Sequence, residues 1–304
     1  MEQMIQDFIN SLNRRPTTKE TYRKALMEFS KWLGSSSPIG LTSNDIQRYK
    51  DYITSKDLST SSVSAYLTAV RRLYNYLEDY GKIKENPAKK VKGGARPKRH
   101  STKAITKNEV KKLFESIDTS SPLGQRDCAI LNLMVRCGLS EIEIVRANVG
   151  DIKSKGDTKV IYVQGKNKDK KDEYVVLPPD AILELDRYLR ERGESEAGEP
   201  LFWGIGNRAI KDRISTRAIR ARISHYFEKL GLKRKGITPY SLRHTAAILA
   251  IESGATVSEV MQMLRVKTVS TALVYFEEAR ELKVNEKTKA GKNQGTKTAN
   301  IKNQ

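Results

Sequence analysis

Several side chains in this sequence have types that suit chemistry on an anion. Arg243 and His244 stand together in TPYSLRHTAAILAIESG, and Tyr275 follows in STALVYF. A guanidinium donates two parallel hydrogen bonds to a phosphate or carboxylate and keeps its charge at any working pH. A tyrosine hydroxyl is among the groups that can form covalent intermediates. A third set, Lys166, Lys168, Lys170 and Lys171, sits in GKNKDKK between two β-branched runs. Taken singly, each also has a plainer reading. Arg243 could cap a helix or pair with Glu143, and a loop of lysines is usually just solvated. Tyr275 is one of 13 tyrosines and could be a partly buried ring with a satisfied hydroxyl. Cys128 and Cys137 are too few for a disulfide framework and lack zinc-ligand spacing, so they read as buried thiols of a reducing compartment.

The charge balance narrows the partner. Lys and Arg number 56 against 36 Asp and Glu, a formal net charge of +20 with a pI of about 9.8. Such an excess favours a polyanion, because every phosphate neutralised releases counterions. Ribosomal, RNA-binding and membrane-surface proteins share that signal, so charge names the partner class and no chemistry. No apolar run approaches the roughly 20 residues needed to span a bilayer. The N-terminus MEQMIQDFINSL is unlike a signal peptide, and a cytoplasmic location is expected.

The elements that must position these residues read as mainly helical. Thr17 with Glu20, Thr42 with Asp45 and Thr106 with Glu109 are spaced as capping boxes, each followed by apolar residues at helical spacing. SVSAYLTAVRRLYNYLEDYG makes a longer helix, with Arg71 and Arg72 away from its apolar side and available to phosphates or to solvent. ENPAKKVKGGARPKRHSTK has Pro, Gly-Gly and a dense basic run without apolar periodicity, as an exposed linker does. Its Arg96, Lys98 and Arg99 are candidates to lie along a duplex backbone. RDCAILNLMVRCGL is a strongly apolar helix, and TKVIYVQ and DEYVVLP form a plausible hairpin. The expected divisions are a helical domain over 1–92, a basic linker over 93–103, a mixed, mostly helical domain with a small sheet over 104–282, and a polar tail over 283–304. The tail has no periodic apolar face and is expected to be disordered.

TPYSLRHTAAILAIESGATVSEVMQML followed by STALVYF resembles the central signature of the tyrosine recombinase (phage integrase) family, of Xer type. Arg243 and His244 fall on the family's His-x-x-Arg-His element, and Thr271 and Tyr275 on its Thr-x-x-x-Tyr element. Gly138-Leu139, Glu143 and Asp151-Ile152 match its first arginine motif, Gly165-Lys166 its hairpin lysine, and Asn86-Pro87 the end of its helical core-binding domain. The resemblance implies a site-specific recombinase or integrase, with a helical core-binding domain and a mostly helical catalytic domain. Tyr275 would attack phosphorus to give a 3′-phosphotyrosine and a free 5′-hydroxyl, and no cofactor would be needed. Arg243 would hold the phosphate, and Lys166, with Lys168 its rival, would protonate the leaving oxygen. His244 would support the site. The implied partners are double-stranded DNA with inverted repeats and three further copies of the chain in a tetramer, with FEEARELKV, residues 276 to 284, packing into a neighbour. The implied host is a mobile element or a chromosome.

Three positions depart from the family pattern. Ser140 stands where the first arginine belongs, Tyr240 replaces a histidine, and Val266 replaces a histidine or tryptophan. Tyrosine can still donate one hydrogen bond, whereas valine can donate none. Losing one preorganised donor costs on the order of 10²–10³ in rate. Arg136, one helical turn before Ser140, is a candidate substitute. The competing function is a catalytically silent DNA-binding regulator on the same fold.

Overall fold

The computed structural model describes residues 1–94, 102–165, 168–204 and 212–299, with 285–299 as backbone only. The chain divides into two compact units, Met1–Lys98 and Arg99–Gln304. Among the described residues, no helix is long and apolar enough to cross a membrane.

The first unit is four helices: α1 (Glu2–Ser11), α2 (Pro16–Leu33), α3 (Ser43–Ser55) and α4 (Thr60–Asp79). The Thr42–Asp45 capping box forms, the Thr42 amide donating to Asp45 Oδ2 at 2.7 Å. The Thr17–Glu20 box does not form. Pro16, with its φ already suited to a first helical turn, starts α2 two residues earlier, with Arg15 as the N-cap, and leaves Thr17 inside the helix. The apolar stripes converge on Leu26, Phe29, Ile46, Tyr49, Leu67 and Leu73, all fully buried. Arg71 is drawn into this framework. Its Nε and Nη2 donate to the carbonyls of Ala88 (3.3 Å) and Val91 (2.8 Å), while Asn86 Nδ2 donates to the Arg71 carbonyl at 3.0 Å. The reason is the return of residues 86–91 along α4, a long-range contact that helical spacing cannot foresee. Arg72 stays exposed.

The second unit begins with α5 (Lys107–Glu115), capped by the Thr106–Glu109 box, and α6 (Pro122–Cys137). Helix α6 is buried on nearly every side, packing on α8 (Pro179–Arg192) and α10 (Ser241–Glu252). A short α7 (Glu141–Arg146) leads into an antiparallel sheet of β1 (Ile152–Lys155), β2 (Thr158–Val163) and β3 (Glu173–Val176), in that order. The expected hairpin is β2–β3, in register at Val160↔Val176 and Tyr162↔Tyr174. The third strand, β1, was not expected. Its sequence IKSK is short and mostly exposed, and its pairing with β2 holds it in place. Helices α9 (Thr216–Lys229), α11 (Val257–Leu264) and α12 (Val269–Ala299) complete the unit. Residues 283–299, expected to be disordered, continue α12 as helical backbone.

Candidate active site

The site is built where the end of α6, the start of α7, the start of α10 and the end of α11 meet. Gly138 closes α6 in the left-handed region (φ 60°), which turns the chain and lets Ser140 begin α7. A Cβ at Gly138 would lie 3.1 Å from Leu264 Cδ2, so a side chain there would also press on α11. Both the Ser140 amide and its Oγ donate to Glu143 Oε2, each at 2.7 Å. Glu143 is 4% exposed.

Two guanidinium groups converge on that carboxylate. Arg243, in the first turn of α10, donates through Nη1 to Glu143 Oε2 (3.1 Å) and the Gly138 carbonyl (2.6 Å), and through Nη2 to the Leu264 carbonyl. Arg265, the C-cap of α11, donates Nε to Glu143 Oε1 (2.6 Å) and Nη2 to Glu143 Oε2 (2.7 Å) and the Gly138 carbonyl (3.2 Å). Its Nη1 reaches the Met263 carbonyl. The Arg243 and Arg265 side chains are 9% and 5% exposed. Burial pushes the Glu143 carboxyl up, but the charge and hydrogen bonds of Arg265 and the charge of Arg243 outweigh it and hold it below the ordinary value. Arg243 Nε is buried and has no partner among the described residues.

Tyr275 lies on α12, 3% exposed, in an apolar cluster with Ala247, Val260 and Leu264. Its ring centroid is 4.9 Å from that of His244, which in turn is 5.7 Å from Tyr240. Glu278, one turn along α12, places Oε2 3.7 Å from His244 Nδ1. Burial, followed by Tyr240, raises the Tyr275 phenol to about 12, and the charge of Arg243 acts against that rise. Tyr240 itself is partly exposed, and Val266 packs at the edge of the apolar cluster.

The other candidates divide. Lys166 lies outside the described residues, as do Arg96, Lys98 and Arg99. Gly165, beside Lys166, is tied to α7 by Arg146 Nη1, which donates to its carbonyl at 2.8 Å. A Cβ on Gly165 would stand 3.8 Å from Glu143 Oε1, so the base of the lysine loop abuts the carboxylate. Lys168 pairs with Asp172 (3.2 Å) and Glu173 (3.7 Å) within its own hairpin. Arg136 does not serve as the substitute for an arginine at 140. Gly138 ends the helix between them, and Arg136 instead pairs with Asp180 of α8 at 2.9 Å and donates to Asn132. The residues that sequence reasoning missed are Arg265 and Glu278. Arg265 sits at a left-handed cap where glycine is the usual choice, and no spacing rule marks its side chain.

Residues 103–281 match the phage integrase family, and residues 2–81 match the phage integrase N-terminal SAM-like domain. The chain is 28% identical to the tyrosine recombinase XerC of Pelotomaculum thermopropionicum, over 86% of this chain and 88% of that one. It is 27% identical to XerD of Listeria innocua over 90% and 94%, and 31% identical to XerC of Yersinia pestis over 86% and 84%. Among solved structures it shares its fold with the XerH site-specific recombinase bound to palindromic difH substrate (TM-score 0.72, 18% identity, covering 89% and 78%). It shares it also with a lambda integrase dimer bound to a COC′ core site (TM-score 0.70, 15% identity, covering 89% and 96%).

Proposed function

The chain belongs to the phage integrase family of tyrosine recombinases, and on that premise we propose that it cleaves and rejoins duplex DNA through Tyr275. The observation that carries the reading is the convergence of Tyr275, His244 and Arg243 from α10 and α12 on one buried corner. In the reaction the Tyr275 oxygen bonds to phosphorus, and the bond from phosphorus to the 5′-oxygen breaks. The phenol is held protonated, so its proton must pass to a base, water or a neighbouring side chain, during attack. Arg243 Nε, with its N–H unspent, is the donor for a non-bridging phosphate oxygen. Lys166, on the loop beginning at Gly165, protonates the departing 5′-oxygen. The acceptor strand's 5′-hydroxyl reverses these steps, so bond energy is conserved without a nucleotide cofactor. The partners are inverted-repeat DNA and a tetramer of this chain in the cytoplasm, acting for a mobile element or a chromosome. Arg72, Arg96, Lys98, Arg99 and Lys168 serve as phosphate contacts.

Ser140 favours a second reading, a DNA-binding regulator that does not cut. To separate the two, genomic fragments captured by the Tyr275→Phe protein would supply the site, and a nicked suicide substrate would then be offered to the unmodified chain. A covalent adduct absent from Tyr275→Phe is the expected result. Site-specific binding without an adduct would leave the regulator.

A further inference from the structure

We propose that Arg265 supplies the positive charge that Ser140 lacks, pairing with Glu143 so that the charge of Arg243 remains available to a phosphate. The inference rests on reading the Tyr275 corner as a phosphate site. Without Arg265, Arg243 and Glu143 would form a neutral buried pair, poorly suited to a phosphate. With it, two cations share one anion, and one net positive charge stays in a region where all three side chains are less than a tenth exposed. Opposite charges interact strongly in such surroundings.

The hydrogen bonds divide the same way. Arg265 gives Nε and Nη2 to the two oxygens of Glu143, a bidentate pairing, and spends further donors on the Met263 and Gly138 carbonyls. Arg243 makes one longer bond to Glu143 and leaves its Nε unpartnered among the described residues. A guanidinium carries five N–H donors. Arg243 therefore retains capacity for an incoming oxygen, whereas Arg265 is nearly saturated. Arg265 is thus a positioning residue: it fixes Glu143, and through the Gly138 carbonyl it braces the turn that both arginines share.

The backbone points the same way. Arg265 is one of two non-glycine residues with positive φ among the described residues (φ 52°), at a helix cap where glycine is normally preferred. A side chain held there against its backbone preference, with its guanidinium buried on a carboxylate, has a role that glycine could not fill. The Ser140 hydroxyl donates to Glu143 Oε2, and Glu143 Oε1 accepts from Arg265 Nε.

The test compares Arg265→Gly, which relaxes the backbone and removes the charge, with Arg265→Lys and with the double variant Ser140→Arg/Arg265→Gly. Thermal midpoints are measured against inorganic phosphate, with chloride at matched ionic strength, to give a phosphate affinity that needs no catalysis. Arg265→Gly should bind phosphate roughly tenfold or more weakly, as Arg243→Ala should, because one net charge is lost in a low-dielectric site. Arg265→Lys should retain part of the affinity, and the double variant should regain most of it. On a nicked suicide substrate the same order should appear as a loss of roughly 10²-fold in adduct formation and its recovery. If Arg265→Gly folds and binds phosphate as tightly as the parent, the inference is wrong. If Arg265→Gly does not fold, Arg265→Lys and the double variant decide, and failure of both to differ from Arg243→Ala in phosphate affinity overturns it. A parent that responds to phosphate through Arg265 yet makes no adduct would sink the cleavage reading and leave this one standing.

Discussion

Glu143→Gln is the perturbation that most directly measures the corner. The substitution preserves shape but turns one acceptor oxygen into a donor and removes the negative charge that Arg243 and Arg265 both contact. Glu143 accepts from the Ser140 amide and hydroxyl, from Arg243 and twice from Arg265, at 2.6–3.1 Å. Leaving a buried charge without its partner costs about 3–5 kcal/mol. For a unit of the size of Arg99–Gln304, each kcal/mol moves the melting temperature by about 2–4 °C, so the transition of this unit should fall by roughly 6–20 °C. The effect should depend on pH with a defined sign. The folded carboxyl titrates below the ordinary 4.5, so its contribution is fully present above 4.5 and is lost as pH falls through the folded value. The gap between parent and Glu143→Gln should be widest at neutral pH and narrow below 4.5. Thermal and urea melts from pH 7 to pH 3 would measure it. A gap under about 1 kcal/mol at pH 7 would refute the argument, as would one that stays constant down to pH 3.

Two further outcomes follow from the same geometry. Arg71→Ala should lower the stability of the first unit by about 1–3 kcal/mol, through the unsatisfied carbonyls of Ala88 and Val91; urea melts of the full chain would show an unchanged first transition if Arg71 were only a phosphate contact. The Tyr275 phenol should titrate near 12, visible as tyrosinate absorbance in the parent minus Tyr275→Phe difference spectrum, and a midpoint at or below 10 would mean that its burial is not retained in solution.

Much of this architecture was legible from spacing. Capping boxes at Thr42 and Thr106 marked helix starts because their partners are local, three residues away. The β2–β3 hairpin announced itself through β-branched runs around a polar loop, whereas β1 carries no such run and exists through its pairing with β2. Arg243, His244 and Tyr275 were legible because type and order persist in the chain. Arg136 failed as a substitute because helical periodicity stops at Gly138, so a one-turn offset no longer means a shared face. The carbonyl partners of Arg71 were not legible because the segment that supplies them, residues 86–91, returns from a distance. Arg265 was invisible for a related reason: the direction of its side chain depends on a left-handed backbone that favours glycine.

That last point changes what restoring an arginine at Ser140 should do. On sequence alone, Ser140→Arg looks like repair. In the structure, Glu143 Oε2 already accepts from the Ser140 amide and hydroxyl and from both arginines, and Oε1 accepts from Arg265 Nε, so a new guanidinium would arrive at a carboxylate that two cations already share. Three buried cations would then share one anion, and the added charge would be repelled by Arg243 and Arg265. Ser140→Arg alone should therefore destabilise the second unit by about 1–3 kcal/mol. Placed in the Arg265→Gly background, the same substitution should be far less costly, because the competing cation has gone and the cap has regained its preferred residue. A double-mutant cycle on thermal or urea stability should give a favourable coupling of about 1 kcal/mol or more between positions 140 and 265. Additive effects would show that the two residues do not compete for Glu143, and the exchange of one arginine for another would lose its physical basis.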